Sequence, residues 1–283
     1  MRRTFPVCMS LMLFLAPAML VADVPQASKP LPEIHELLRE VEEHQKQLDK
    51  IRESYTFTSL DTVQDIDSDG KVTKTQTDEH EDFFVNGHVI ERLVKHNGKP
   101  LDDHDEKKET DRVTKLVEKA EKTPRGQALE GPSITISRLL EIMDMRNERR
   151  ESYHGRSTIV FDFVGRKDAK THGIAEDASK KVQGTVWIDE ADRQVVHLDV
   201  SFTENFHVAG GLFANVQKGS NFHFEQGLVN GELWLPVGSE GMVQARVLLL
   251  KNYRQHFTER DYDYKRFKVE TEQTKDAKVT PEK

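Results

Sequence analysis

The chain has 283 residues, with 41 Lys and Arg against 49 Asp and Glu and a formal charge of −8. A mean hydropathy of −0.66 reads as a soluble body, while 36% hydrophobic residues supply a sizeable core and argue against wholesale disorder. The acidic balance leaves no basic footprint for nucleic acid. No stretch after residue 22 approaches the roughly 18 apolar residues of a membrane span, so membrane contact is expected to be peripheral at most.

Residues 1–22 read as a cleaved secretory signal. Arg2 and Arg3 form the charged start, an apolar run broken by Ser10 follows, and small residues place cleavage after Ala22, with Ala18 as the alternative. The arginine pair lacks the rest of a twin-arginine motif, so the general secretory route is expected. Cys8, the single cysteine, lies inside this segment and too early for a lipobox. The mature chain is therefore expected to have no disulfide, thiol nucleophile or cysteine metal site, which fits a periplasm.

Residues 23–30 form a Pro/Ala/Ser linker. From Pro32, Ile34, Leu37, Leu38, Val41, Leu48 and Ile51 recur at helical spacing and form one stripe, with Glu36, Arg39, Glu40, Glu43 and Lys46 opposite. At Ser54 the period changes to two. A first strand runs into Asp65-Ile66-Asp67-Ser68-Asp69-Gly70; strands at 83–85 and 88–95 flank Asn86-Gly87, a strong hairpin signal. Asn97-Gly98-Lys99-Pro100 is a further turn.

Residues 102–122 predict a mostly exposed helix, and Ser133 starts a more apolar one carrying Ile134, Ile136, Leu139, Leu140, Ile142 and Met143. Strands resume near Arg149 and at 158–164, and a polar loop is expected over 166–180. Further strands fall at 181–189, 195–203, 212–225, 228–235, 241–253 and 256–269. The tail 270–283 is expected to be disordered. The tally is about eleven strands joined by short links, so the sheet is expected to be antiparallel, in a single domain over 31–269.

Residues 65–70 match the start of a calcium loop, but Gln76 stands where a bidentate Glu is needed and the flanks are strand-like, so a hairpin turn with Gly70 at positive φ is expected. The twelve histidines show no HExxH spacing. His80 beside Glu81 and Asp82, His96 with His104, and His207 and His223 on strands are the groups worth noting, and scattered structural histidines account for them. Gly238-Ser239-Glu240-Gly241 reads as a hairpin turn, not a nucleophile elbow. Gly210-Gly211 precedes a strand, not the helix a phosphate loop requires. No catalytic residue, metal or cofactor is expected.

The strongest functional signal is an apolar lining on later strands: Ile159/Phe161/Phe163, Val196/Leu198/Val200/Phe202, Phe222/Phe224 and Val243/Ala245/Val247/Leu249. Core packing explains much of it, but a curved sheet with few helices can keep an apolar cavity on the same face. The candidate ligand-binding residues are Phe161, Phe163, Leu198, Phe202, Phe222, Phe224 and Val247.

This arrangement resembles the LolA/LolB-like superfamily of periplasmic lipoprotein carriers. The likeness rests on the signal, the amphipathic helix ending at Glu53-Ser54-Tyr55, helices between the third and fourth strands, Gly184-Thr185-Val186-Trp187-Ile188-Asp189 running into a hairpin, and the closing Tyr262-Asp263-Tyr264-Lys265-Arg266-Phe267. It covers roughly 31–269 and is loose and topological. The resemblance implies an α+β fold, an incomplete antiparallel half-barrel wrapped over helices, whose apolar concave face holds a lipid or acyl chain. The charged 102–122 helix and the 166–180 loop lengthen this chain beyond the carriers. The alternative is an envelope protein-interaction or sensor module on the same fold, and a hydrolase with scattered acidic or histidine catalysis is a third reading. Fold alone does not choose among them.

Overall fold

The computed structural model describes residues 30–125, 127–129, 138, 141–208, 214–247 and 251–267. The expected signal, nearly all of the linker, the tail and most of the helix from Ser133, Leu140 included, lie outside these residues.

Helix α1 spans Ile34–Arg52. Strands β1 (Tyr55–Ile66), β2 (Val72–Val85), β3 (His88–His96) and β4 (Lys99–Pro100) form a meander. Its turns carry the chemistry read from sequence: Gly70 has φ 82°, and Asn86-Gly87 and Asn97-Gly98 have φ of 51° and 79°, and 51° and 74°. Those pairs of positive φ match the right-handed twist of a tight hairpin. At the 67–71 turn, Asp67 Oδ1 accepts from the Asp69 and Lys71 amides at 3.0 and 2.9 Å. This acidic segment closes a hairpin.

Helix α2 (Asp103–Lys122) follows, with Asp102 as its cap accepting from the His104 and Asp105 amides. Then come β5 (Met143–Tyr153), β6 (Arg156–Gly165), the short α3 (Ile174–Ser179), β7 (Val182–Asp189), β8 (Val195–Phe202), β9 (Phe206–Val208), β10 (Ala214–Val216), β11 (Asn221–Val229), β12 (Leu233–Val247) and β13 (Lys251–Arg266).

All thirteen strands belong to one sheet, in the order β4-β3-β2-β1-β13-β12-β11-β8-β7-β6-β5, with β10 on β12 and β9 on β10. Every pairing is antiparallel. The last strand pairs with the first, Val63 opposite Phe257, and so joins the two meanders. The ends, β4 and β5, do not meet, so the barrel is incomplete and the fold is an open α+β half-barrel. Pro100 on one edge and the charges of Arg146, Glu148 and Arg150 on the other blunt these ends against further strand addition.

The core lies where α1 meets the sheet. Ile34, Leu37, Leu38 and Val41 pack on Ile159 and Phe161 of β6 and on Val186 and Ile188 of β7. Each such side chain contributes about 1.5–3 kcal/mol. Leu48 then packs on a second cluster of Tyr55, Leu233 and Leu235. Polar contacts fix the helix at the β7–β8 turn, where Arg193 donates to Glu40 at 2.6 Å and the buried Gln194 meets His44 at 3.2 Å. Both indole N–H groups find acceptors, Trp187 on Glu151 at 3.3 Å and Trp234 on Asp192 at 2.9 Å.

The strand reading needs correction in three places. Among the described residues thirteen strands replace eleven, because β4 and β9 are too short to show periodicity, the stretch read as 212–225 divides into β10 and β11, and those read as 228–235 and 241–253 fuse largely into β12. The polar loop over 166–180 contains α3. The hairpin turn expected at 238–241 is strand, inside the fifteen-residue β12. Its glycines answer to close neighbours instead: a Cβ at Gly238 would lie 2.8 Å from the Glu259 carbonyl oxygen. The turn sits at Asn230-Gly231, with φ of 53° and 69°.

Candidate functional site

Residues paired across neighbouring strands share a face, as do residues two apart on one strand. The face covered by α1, here the inner face, can therefore be followed across the sheet. One row runs Phe163, Gly184, Val200, Phe222, Gly241, Phe257 and Val63 from β6 to β1. Its two glycines alternate with rings that lie across them. A Cβ at Gly184 would come 2.8 Å from Phe163 Cε1, and one at Gly241 would come 2.6 Å from Phe257 Cε1. The Phe222 and Phe257 rings stack at 6.2 Å and 24°. Val200, Phe222, Phe257 and Val63 are only half-buried. This leaves an apolar strip partly open beyond α1.

The same face changes character on β1, β2 and β13. Asp61 pairs with Glu259 and Asp78, Ser59 with Asp261 and His80, and Asp82 with Phe57 and Glu91. Asp82 and Asp261 are 2% and 7% exposed, and Asp82 Oδ1 and both Asp261 carboxyl oxygens have no hydrogen-bond partner. Burial, with Glu259 and Asp82 adding like charge, pushes Asp261 up to about 8. Burial pushes Asp82 up to about 7 despite a hydrogen bond from Ser59. Burial also pushes Asp61 up to about 6, against the pull of His80, whose Nδ1 lies 3.6 Å from it. Phe57, stacked on Tyr264 at 4.9 Å, walls this shelf. The inner face thus joins an apolar strip to a shelf of carboxyl groups, of which Asp82 and Asp261 are pushed furthest toward the neutral form.

No protein-family model matches the chain. No curated protein matches it either. Solved structures similar to it include a domain named for outer membrane lipoprotein sorting from Vibrio parahaemolyticus, 10% identical, with a TM-score of 0.37 over 83% of this chain and 93% of that one. A DUF1329 family protein from Desulfovibrio piger is 9% identical, with a TM-score of 0.32 over 82% and 94%. The MucA/MucB complex of Pseudomonas aeruginosa contains a chain 11% identical, with a TM-score of 0.23 over 78% and 93%. Likeness of this degree carries no functional weight, so function has to be read from the chain's own residues.

The residues expected at the ligand site fall into two groups. Phe161 and Phe163 are 1% and 7% exposed. Phe161 is closed over by α1, and Phe163 packs with Ile142, Met143 and Val182. Leu198 touches both clusters. Phe202, Phe222, Phe224 and Val247 are half-buried, Phe202 stacking on Phe206 at 6.3 Å and Phe224 sitting opposite Leu198. Val247 lies at the far end of β12, paired with Ala214 and Lys251. Sequence reasoning missed Phe257 and Val63 in the strip and the three aspartates beside it. Period-two reading of Phe257, Glu259 and Asp261 would have put an aromatic and two acids on one face. Among the described residues, one group has metal-ligating geometry, His197, Asp199 and His223, and it lies on the outer face.

Proposed function

We propose that the chain is an exported envelope protein that binds the acyl chain of a lipid or lipoprotein on its inner face, as a carrier and not as an enzyme. The observation that carries this reading is the half-buried strip of Val200, Phe222, Phe257 and Val63, which continues from the core beyond α1. Phe202, Phe224 and Val247 extend its apolar surroundings, whereas Phe161, under α1, and Phe163, packed with Ile142, Met143 and Val182, act as the packed floor. An acyl chain laid on the strip gains about 0.8 kcal/mol per buried methylene. Beside it, burial pushes Asp82 and Asp261 up to about 7 and 8, so this end of the face carries less charge against an acyl chain than ordinary carboxylates would. An apolar N-terminal run with two leading arginines supports delivery to the periplasm. Among the described residues no helix is long and apolar enough to cross a membrane.

The test is organic extraction and mass spectrometry of protein purified from its native envelope without detergent. A stoichiometric lipid or acyl species is the expected result. Protein that emerges lipid-free would overturn the carrier reading in favour of a partner-binding module.

A further inference from the structure

The outer face carries a separate constellation at the β7-β8-β11-β12 region, independent of the inner strip. His197 and Asp199 are two apart on β8 and so point the same way. The register sets Glu225 opposite His197, His223 opposite Asp199, and Glu240 opposite His223. Five nitrogen and oxygen donors therefore occupy adjoining positions on three neighbouring strands. His223 Nδ1 lies 2.5 Å and His197 Nε2 2.9 Å from the same oxygen, Asp199 Oδ1. One ligand atom from each of these three residues lies within 4.8 Å of the others. His197, His223, Glu225 and Glu240 line a cleft of about 820 Å³, with Asp199 beside it.

The site is built and not merely crowded. Tyr153 stacks on the His197 ring at 5.3 Å and 28°, and Trp187 meets it edge-on at 4.8 Å and 67°. The β8–β11 register sets Asp199 and His223 opposite each other beside that ring. His197 Nδ1 is buried without a hydrogen-bond partner, so ring packing, not a hydrogen bond at that atom, sets the direction in which Nε2 points. His197 Nε2 and His223 Nδ1 converge on Asp199 Oδ1, and with the ring protons on the opposite nitrogens their lone pairs and the carboxylate can share one cation. Nitrogen and carboxylate donors with open positions suit a divalent ion of the zinc class, and the neighbouring Glu225 and Glu240 supply acceptors for its waters.

We infer that His197, Asp199 and His223 form a binding site for a divalent transition-metal ion on the outer face of the sheet. Coordination moves the ring protons to the opposite nitrogens and leaves Asp199 ionised. No disulfide or cysteine is involved.

The experiment is calorimetric titration of the untagged, chelator-stripped mature chain with Zn²⁺. One equivalent should bind, and His223→Ala should weaken it by about tenfold or more, the scale seen when a metal site loses supporting contacts. His223 is an exposed side chain, so this variant should keep its cooperative melt. His207→Ala, on β9 outside the cluster, should bind like the wild type. Trp187 emission, sensitive to the ring beside it, should change on metal addition to the wild type and not to His197→Ala. Absence of a stoichiometric Zn²⁺ site in the wild type would overturn the inference, as would His223→Ala binding with unchanged affinity.

Discussion

The Phe257 ring lies across Gly241 of the neighbouring strand, in the space a side chain would otherwise take. A Cβ at Gly241 would meet Phe257 Cε1 and the Asn221 carbonyl oxygen, both at 2.6 Å. Phe163 lies over Gly184, three strands along from Gly241, in the same way. Ring over glycine at two positions keeps the inner row low, and this lets the apolar strip run across strands without a ridge.

Gly241→Ala is expected to destabilise the fold by about 1–3 kcal/mol, the range for an overpacked site. Chemical denaturation measures it. Replacing Phe257 by Ala as well should recover only part of the loss, because the Asn221 carbonyl is backbone and stays in place. Full recovery in the double variant would show that the ring alone sets the constraint.

Stability should fall between mildly acidic and mildly alkaline pH. Asp61, Asp82 and Asp261 hold their protons in the folded chain to about 6, 7 and 8, respectively, but lose them near 4 once unfolded. The folded state therefore binds more protons between these limits, and its advantage, complete below the unfolded value, is lost as pH rises through the folded ones. Thermal melts should give a higher Tm at pH 5 than at pH 8. Asp82→Asn with Asp261→Asn should flatten that slope, since an amide needs no proton to stay neutral.

The β7–β8 turn should depend on Asp189, which is 1% exposed. It accepts from the Arg156 guanidinium and from the Ala191 and Asp192 amides at 3.0 and 2.8 Å. Asp189→Ala removes these charged hydrogen bonds at once and should cost about 2–3 kcal/mol. The loss is read by denaturation, and by weaker protection of the Ala191 and Asp192 amides in hydrogen exchange.

Much of the architecture was legible because each signal is local. The α1 stripe of Ile34, Leu37, Leu38 and Val41 needs one helix period, and Asn86-Gly87 and Asn97-Gly98 need only two residues with positive φ. Gly238 and Gly241 mislead for the opposite reason. Their glycines answer to Glu259 and Phe257, neighbours across the sheet, and nothing in adjacent sequence distinguishes that from a turn. The candidate site divides likewise. Alternation put Phe202, Phe222 and Phe224 on one face, but only the register brings Phe257 and Val63 into the row of Phe222. The same holds for His197 and His223, which meet at Asp199 because β8 and β11 pair, not through any spacing in the chain.

The open strip, and not the packed floor, should take an acyl chain, and titration with a fluorescent fatty acid reads this out. The wild type should bind, and Phe222→Glu and Phe202→Glu, with cooperative melts retained, should lose binding because a carboxylate there must be desolvated or neutralised. Phe161→Leu, a change under α1, should leave affinity within a few-fold. Folded Phe222→Glu and Phe202→Glu proteins that bind the probe as tightly as the wild type would show that the strip is not the acyl-chain site.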